Sequence, residues 1–291
     1  MRSYPFMQAD AFTTVALGGN PCAIVFEADD LSASTMQAIA QEQNLSETAF
    51  VLRTEAADVR ARYFTPLSEI PFAGHPTIAT VHALVESGRL QVDPPCSTVR
   101  LELQAGIIPV EVFGSSSEPE RIVMTQLRPR FLAELSAVHV CPVLGLEPGD
   151  LHPDVPIQVV STGTPQLMIC VREQRALRGL SVHYPALAAL GKRARFFSVH
   201  LFCVRDGGQS TFARHFAPEF EDPFTGSATG SMGAYLWRYR LIPQPAFSAE
   251  QGRWMGRPGA ASVEVLGPRD DIEAVKVGGS AVTVIRGTLT L

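Results

Sequence analysis

Two stretches of this chain repeat one another without a gap, and the repeat limits the fold more than any other feature. Residues 62–79 read RYFTPLSEIPFAGHPTIA and residues 214–231 read RHFAPEFEDPFTGSATGS. Arg, Phe, Pro, Glu, Pro, Phe and Gly recur in register, so that Phe64 matches Phe216, Pro66 matches Pro218, Phe72 matches Phe224 and Gly74 matches Gly226. A match kept across prolines and a glycine, which dictate local backbone geometry, points to a duplicated folding unit. Weaker echoes flank it in the same order. Gly19-Asn20-Pro21 before CAIVF parallels Gly163-Thr164-Pro165 before QLMICV, and QAGIIPVEVFG from Gln104 parallels KVGGSAVTVIRG from Lys276. Each half reads as turn, strand, helix, strand, repeated motif, helix and closing strands. A turn idiom shared within one continuous domain is the alternative.

The 291 residues suit two lobes better than one core. The stretch Gly114-Ser115-Ser116-Ser117-Glu118-Pro119 sets the expected division, giving lobes 1–117 and 118–291. Residues 121–145 add a strand and a helix not obvious in the first half. The tail reads as alternating strands, and the last of them could return to the first lobe. With 46% hydrophobic and 18% charged residues, the chain is packed rather than disordered. The net charge of −5 comes without a basic block, which argues against a nucleic-acid partner. Asp10 precedes any apolar run, and the uncharged stretch 11–26 is broken by Gly18, Gly19, Asn20 and Pro21. Neither a secretory leader nor a membrane span is expected. The five cysteines are scattered without a C-x-x-C pair, which fits reduced thiols in a cytoplasm and offers no metal motif.

After Gly74, the segment HPTIATVHALVESG has helical apolar spacing at Ile78, Val81, Leu84 and Val85. Pro76 suits the first turn and Gly88 the position past the end. The second copy runs GSATGSMGAYLWRYRLI, with Ser227 near its start. A glycine turn into a helix exposes unpaired N–H groups where the helix dipole favours negative charge. Two such ends facing one cleft between the lobes could grip a carboxylate or a developing enolate oxygen. A glycine can also simply turn the chain. The two copies differ, however, where chemistry is expected: His75 stands opposite Ser227, and Ile70 opposite Asp222.

Asp222 is either a site carboxylate at the positive end of the second helix or a solvated loop acid or cap partner. Glu47 follows a helix predicted from Ser32 to Gln43, with Ser32 as N-cap and Met36, Ile39 and Ala40 on its apolar side. It precedes the buried-looking strand AFVL, a setting that raises a carboxyl pKa and suits proton transfer. Alone, a glutamate there is more often a surface acid.

The runs GGNPCAIVF, NLSETAFVL, RYFTPLSEIPFAGHPT and DPFTGSATG resemble the phenazine-biosynthesis isomerase (PhzF-like) family, in order and over most of the chain. The resemblance implies an α+β, two-lobed, internally duplicated fold of the diaminopimelate epimerase type, each lobe a mainly antiparallel sheet or barrel around a central helix. It places the family's catalytic glutamate on Glu47, with Ser46 beside it for substrate. Its glycine–histidine pair falls on Gly74 and His75, its aspartate on Asp222, and its glycine–serine on Gly226 and Ser227. Diaminopimelate epimerases and proline racemases carry two cysteines ahead of these helices; Ala73 and Thr225 stand there in this chain, which disfavours a two-thiol mechanism.

The resemblance implies proton relocation on a small carboxylate substrate, related to the isomerisation of trans-2,3-dihydro-3-hydroxyanthranilate. Glu47 is the acid/base, Glu47, His75 and Asp222 are the catalytic set, and Gly74, Gly226, Ser227 and Ser46 hold the substrate. It calls for no cofactor or metal and for a homodimer. The rivals are an amino-acid epimerase or racemase using Glu47 and Asp222, and a non-catalytic small-carboxylate binding protein.

Overall fold

The computed structural model describes residues 2–115 and 118–291. Packing divides the chain into two compact units, Met1–Thr125 with Gly278–Leu291, and Gln126–Val277. The expected division at 117/118 falls on Ser117, outside the described residues.

The first unit contains β1 (Ser3–Ala11), β2 (Asn20–Val25), α1 (Ala33–Gln43), β3 (Glu47–Leu52), β4 (Val59–Phe64), β5 (Glu69–Ile70), α2 (Gly74–Glu86), β6 (Cys96–Leu103), β7 (Gly106–Gly114) and β8 (Pro119–Gln126). β8 pairs with β7 through residues such as Met124 and Val110, which keeps this segment with the first unit. Two pairings are parallel, β2 with β3 and β4 with β6, and each is spanned by a helix, α1 and α2 respectively. The pairs β1–β2, β3–β4, β6–β7 and β7–β8 are antiparallel. The chain's final strand, Ala281–Thr290, lies antiparallel to β1 on its other side.

α1 starts where Ser32 accepts the Thr35 N–H at 3.1 Å, and it ends at Asn44 in the left-handed conformation, φ 50°. Met36, Ile39 and Ala40 pack on Val25, Phe50 and Phe64. α2 has no polar face: every residue from Gly74 to Val85 is buried, and the helix lies against β1, β2 and β3. β2 is buried along nearly its whole length, as a strand covered on both faces must be.

The second unit repeats this order. It contains β9 (Arg130–Leu135), α3 (Ala137–Leu144), β10 (Ile157–Ser161), β11 (Pro165–Cys170), α4 (Gln174–Arg178), α5 (Tyr184–Ala194), β12 (Ser198–Arg205), β13 (Ser210–Phe216), β14 (Glu221–Asp222), α6 (Gly226–Arg238), β15 (Ala246–Gln251) and β16 (Gly259–Leu266). β11–β12 and β13–β15 are the parallel pairs, matching β2–β3 and β4–β6. α6 is buried throughout Gly226–Leu236 except at Ser227. α3, α4 and α5 supply Val140, Leu144, Leu177, Leu187 and Leu190 to a core with Leu167, Ile169, Val199 and Leu201. β17 (Ala274–Gly279) and β18, the final strand already described, end the chain. Among the described residues no helix is long and apolar enough to cross a membrane.

Candidate active site

In the first unit, Glu47 is the first residue of β3. α1 stops at Asn44, the chain turns through Leu45 and Ser46, and Glu47 then pairs in parallel register with Cys22. α2 begins at Gly74 after an extended Ala73, so His75 occupies the helix's first turn. These two starts bring His75 Nε2 to 3.2 Å from Glu47 Oε2. His75 is 4% exposed, whereas the Glu47 side chain keeps 18% of its surface open. Ser46 is half-buried in the turn beside it.

Burial drives the His75 pKa down to about 3, against the opposing pull of the Pro21 carbonyl, so the ring is neutral near pH 7. Asn20 Nδ2 stands 3.1 Å from His75 Nδ1. The Glu47–His75 pair is thus a carboxylate beside a neutral imidazole. Cys22, the one thiol registered with Glu47, is held protonated: burial first, and then the Glu47 charge, push its pKa well up.

Deeper groups fix this arrangement. Tyr63 lies 3.1 Å from Thr77 Oγ1, which donates to the Ala73 carbonyl at 2.8 Å and so ties the start of α2 to β4. Asp10 is fully buried and accepts the Leu17 N–H at 2.7 Å, anchoring the loop that delivers Asn20.

In the second unit, Asp222 ends β14 and is 7% exposed; it is not a solvated loop acid. Its Oδ2 accepts the hydroxyl of Thr225, the residue before α6. Gln251 holds the same turn, donating to the Asp222 carbonyl at 2.7 Å and accepting the Thr225 N–H at 3.2 Å. Gly226 and Ser227 open α6. Gln126 Nε2 donates to the Gly226 carbonyl at 2.9 Å, and Gln166 Nε2 to Ser227 Oγ at 3.1 Å. Thr162 Oγ1 lies 2.6 Å from Gln126 Oε1 and 3.0 Å from Ser231 Oγ, so one run of hydroxyls and amides pins the first turn. Gly230 makes room for it, since a Cβ there would fall 2.0 Å from Gln126 Oε1. Beneath lie His200 and His215, with Nδ1 atoms 3.3 Å apart; burial lowers both pKa values, that of His200 to about 3.

The expected residues therefore fall into two groups: Ser46, Glu47, Gly74 and His75 in the first unit, and Asp222, Gly226 and Ser227 in the second. The sequence reading passed over Asn20, Gln126, Thr162, Gln166 and Gln251. Two of these sat inside an echo already visible, since Asn20 and Gln166 belong to the paired Gly-x-Pro turns and the strands after them. A groove of about 1490 Å³ lies elsewhere in the first unit, lined by ion pairs such as Arg53–Asp29 and Arg60–Glu102. Among the described residues no group of three or more His, Cys, Asp or Glu side chains is arranged to hold a metal ion.

A family model described as phenazine biosynthesis-like protein (PhzC-PhzF) matches residues 9–287. Trans-2,3-dihydro-3-hydroxyanthranilate isomerase of Pseudomonas chlororaphis is 33% identical, over 97% of this chain and 98% of its own. The crystal structure of a Bacillus anthracis phenazine biosynthesis protein of the PhzF family matches with a TM-score of 0.88 at 31% identity, covering 100% of both chains. A hydroxyproline epimerase from Agrobacterium vitis shares the fold alone, with a TM-score of 0.69 at 12% identity over 100% of this chain and 93% of that one. The architecture is the α+β, epimerase-like one that the motifs implied.

Proposed function

Because the chain belongs to the phenazine biosynthesis-like (PhzC-PhzF) family, whose relatives are isomerases, we propose that it relocates a proton within a small carboxylate substrate without a cofactor, with Glu47 as the acid/base. Trans-2,3-dihydro-3-hydroxyanthranilate, or a close analogue, is the substrate to try first. The Glu47 carboxylate removes a proton from an activated C–H, and the electron pair of that bond enters the adjacent π-system. The resulting carboxylic acid returns the proton to another carbon of the same system, so the composition is unchanged. Neutral His75, 3.2 Å away, leaves the carboxylate its charge, which an imidazolium would neutralise. In the first unit the Gly74 N–H and Ser46 are the groups offered to the substrate beside Glu47; in the second, the Gly226 N–H and the Ser227 hydroxyl are those suited to a carboxylate, with Asp222 nearby in the same turn.

The observation that carries this reading is the inequality of equivalent positions. Glu47 is registered with Cys22 across β2 and β3; the same register across β11 and β12 joins Ser198 to Gln166. The second unit thus presents a hydroxyl where the first presents its carboxylate. Its nearest carboxylate, Asp222, already accepts the Thr225 hydroxyl. One acid/base suits a proton returned to a different carbon better than a two-base inversion does.

A positioned acid/base contributes about 10²–10⁴-fold. Glu47→Gln should therefore lose at least 100-fold in kcat on trans-2,3-dihydro-3-hydroxyanthranilate, followed by ultraviolet absorbance, while binding persists. Full activity of Glu47→Gln would overturn the assignment. Solvent deuterium appearing with inversion at a single stereocentre would instead favour an epimerase.

A further inference from the structure

We propose that Gln166 is a positioning residue that sets the Ser227 hydroxyl as a hydrogen-bond donor toward the substrate's carboxylate. The inference rests on the reading that Ser227 meets that carboxylate, and it concerns how a neutral hydroxyl is prepared for the task.

A serine hydroxyl can give one hydrogen bond or accept two, and a freely rotating one has no fixed polarity. Ser227 is not free in this sense. It is the only residue of Gly226–Leu236 left partly open, and its Oγ lies 3.1 Å from Gln166 Nε2. Once an N–H donates into Oγ, the serine's own proton must point elsewhere, and a ligand acceptor can take it.

The polarity depends on which way the Gln166 amide is turned, and burial decides this. Gln166 is 1% exposed, and its Oε1 meets no donor among the described residues. Turning the amide over would give Oε1 the serine proton but leave an NH₂ group, with two donors, in that same interior. A buried unmatched N–H is rarer and costlier than an undersatisfied carbonyl oxygen. The orientation that donates to Ser227 is therefore the stable one.

The neighbours allow no substitute for this bond. Ser198, registered with Gln166, is fully buried and its Oγ also meets no partner. Thr162 directs its proton to Gln126 Oε1 at 2.6 Å, in preference to the Ser227 carbonyl at 3.3 Å. At the equivalent place in the first unit stands Cys22, and the helix carries His75 instead of serine. The amide–hydroxyl couple is thus a device of the second unit alone.

The test uses benzoate as a plain carboxylate probe, with affinity measured by calorimetry on the full-length wild type, Gln166→Glu, Ser227→Ala and the double variant. A hydrogen bond to a charged group is worth roughly ten- to a hundred-fold in affinity, so Ser227→Ala should weaken benzoate by about that much. Gln166→Glu supplies an acceptor in place of a donor, draws the Ser227 proton inward, and should weaken benzoate comparably. The double variant should bind no more weakly than Gln166→Glu alone, because the donor is already lost. A charge or packing effect independent of Ser227 would multiply with Ser227→Ala, and that result overturns the proposal, as does a wild type that binds no benzoate. If Gln166→Glu does not fold, Gln166→Met, which frees the Ser227 hydroxyl without turning it inward, should weaken benzoate a few-fold and shrink the further effect of Ser227→Ala; an undiminished Ser227→Ala effect overturns the proposal. Glu47→Gln should leave the coupling intact while removing turnover, so failure of the isomerase reading shows in turnover and failure of this inference in the coupling.

Discussion

The two copies of the repeated motif are alike in what holds them and unlike in what they hold. In the first, Arg62 grips Glu69 with two bonds of 2.7 Å and lies 5.2 Å over the Phe64 ring. In the second, Arg214 grips Glu221 with two bonds of 2.7 Å and lies 4.9 Å over Phe216. Each clamp closes the turn that feeds a buried helix. Within that common frame, Tyr63 faces Thr77 in one copy, while its counterpart His215 faces His200 in the other. Glu47 and His75 give the first unit a proton acceptor with a neutral imidazole beside it; Ser198, Ser227 and Gln166 give the second unit hydroxyls and an amide. A duplicated scaffold can keep its mechanical parts and specialise its chemical ones, because the clamp does not touch the helix's first turn.

The sharpest way to break this comparison is to treat equivalent positions alike. Glu47→Gln should lose about 10²–10⁴-fold in kcat, whereas Ser198→Ala should stay within a few-fold, both measured on one substrate. Equal losses would mean that the halves are not chemically distinct. Next come Ile78 and Gly230, equivalent residues of α2 and α6 with opposite demands on space. Ile78 is fully buried, so Ile78→Ala should cost about 2–5 kcal/mol through the cavity it leaves. Gly230→Ala should cost about 1–3 kcal/mol through overpacking, because the Gln126 amide it meets is tied to Thr162 and Gly226 and cannot swing aside without losing those bonds. Urea denaturation would measure both.

Acid should act on buried imidazoles in both halves, His75 in the first and His200 and His215 in the second. His200 and His215 are neutral when folded but take protons when unfolded below about pH 6.5. The unfolded chain then binds more protons, so stability is full above pH 6.5 and falls as the pH drops toward the folded-state pKa of His200, about 3. Replacing the pair by the first unit's residues, as His200→Ala with His215→Tyr, should flatten that fall by up to about 1.4 kcal/mol per pH unit for each imidazole removed. An unchanged slope would show that the pair is not the acid-labile element. The smallest effect is expected at the clamps: Arg62→Lys and Arg214→Lys should each cost about 1 kcal/mol, and by similar amounts, since both lose a bidentate fork. A clear inequality would show that the frame has also diverged.

What could be read from the sequence was local. The Ser32 cap, the end of α1 before Asn44, and the helix starts at Gly74 and Gly226 depend on residues within a few positions, and they lie where the turn chemistry puts them. The contact of Glu47 with His75 needed the family resemblance, because 28 positions and a strand register separate them. Asn20, Gln126 and Gln166 escaped for a similar reason. Each bonds to a helix start reached only after the sheet has formed, and a single amide in a strand carries no periodic signal. The matching registers of β2–β3 and β11–β12 expose the Glu47–Ser198 equivalence, which no alignment of the motif alone would show.

The last strand carries one more consequence. β18 runs beside β1, and Arg2 and Leu291 exchange backbone bonds of 2.8 and 2.9 Å. During synthesis, β1 is made before β18, with the whole second unit made in between. The first unit therefore keeps one edge unpaired, a template for wrong pairing, until β18 has been made. A chain cut back into β18 would leave that edge unpaired for good.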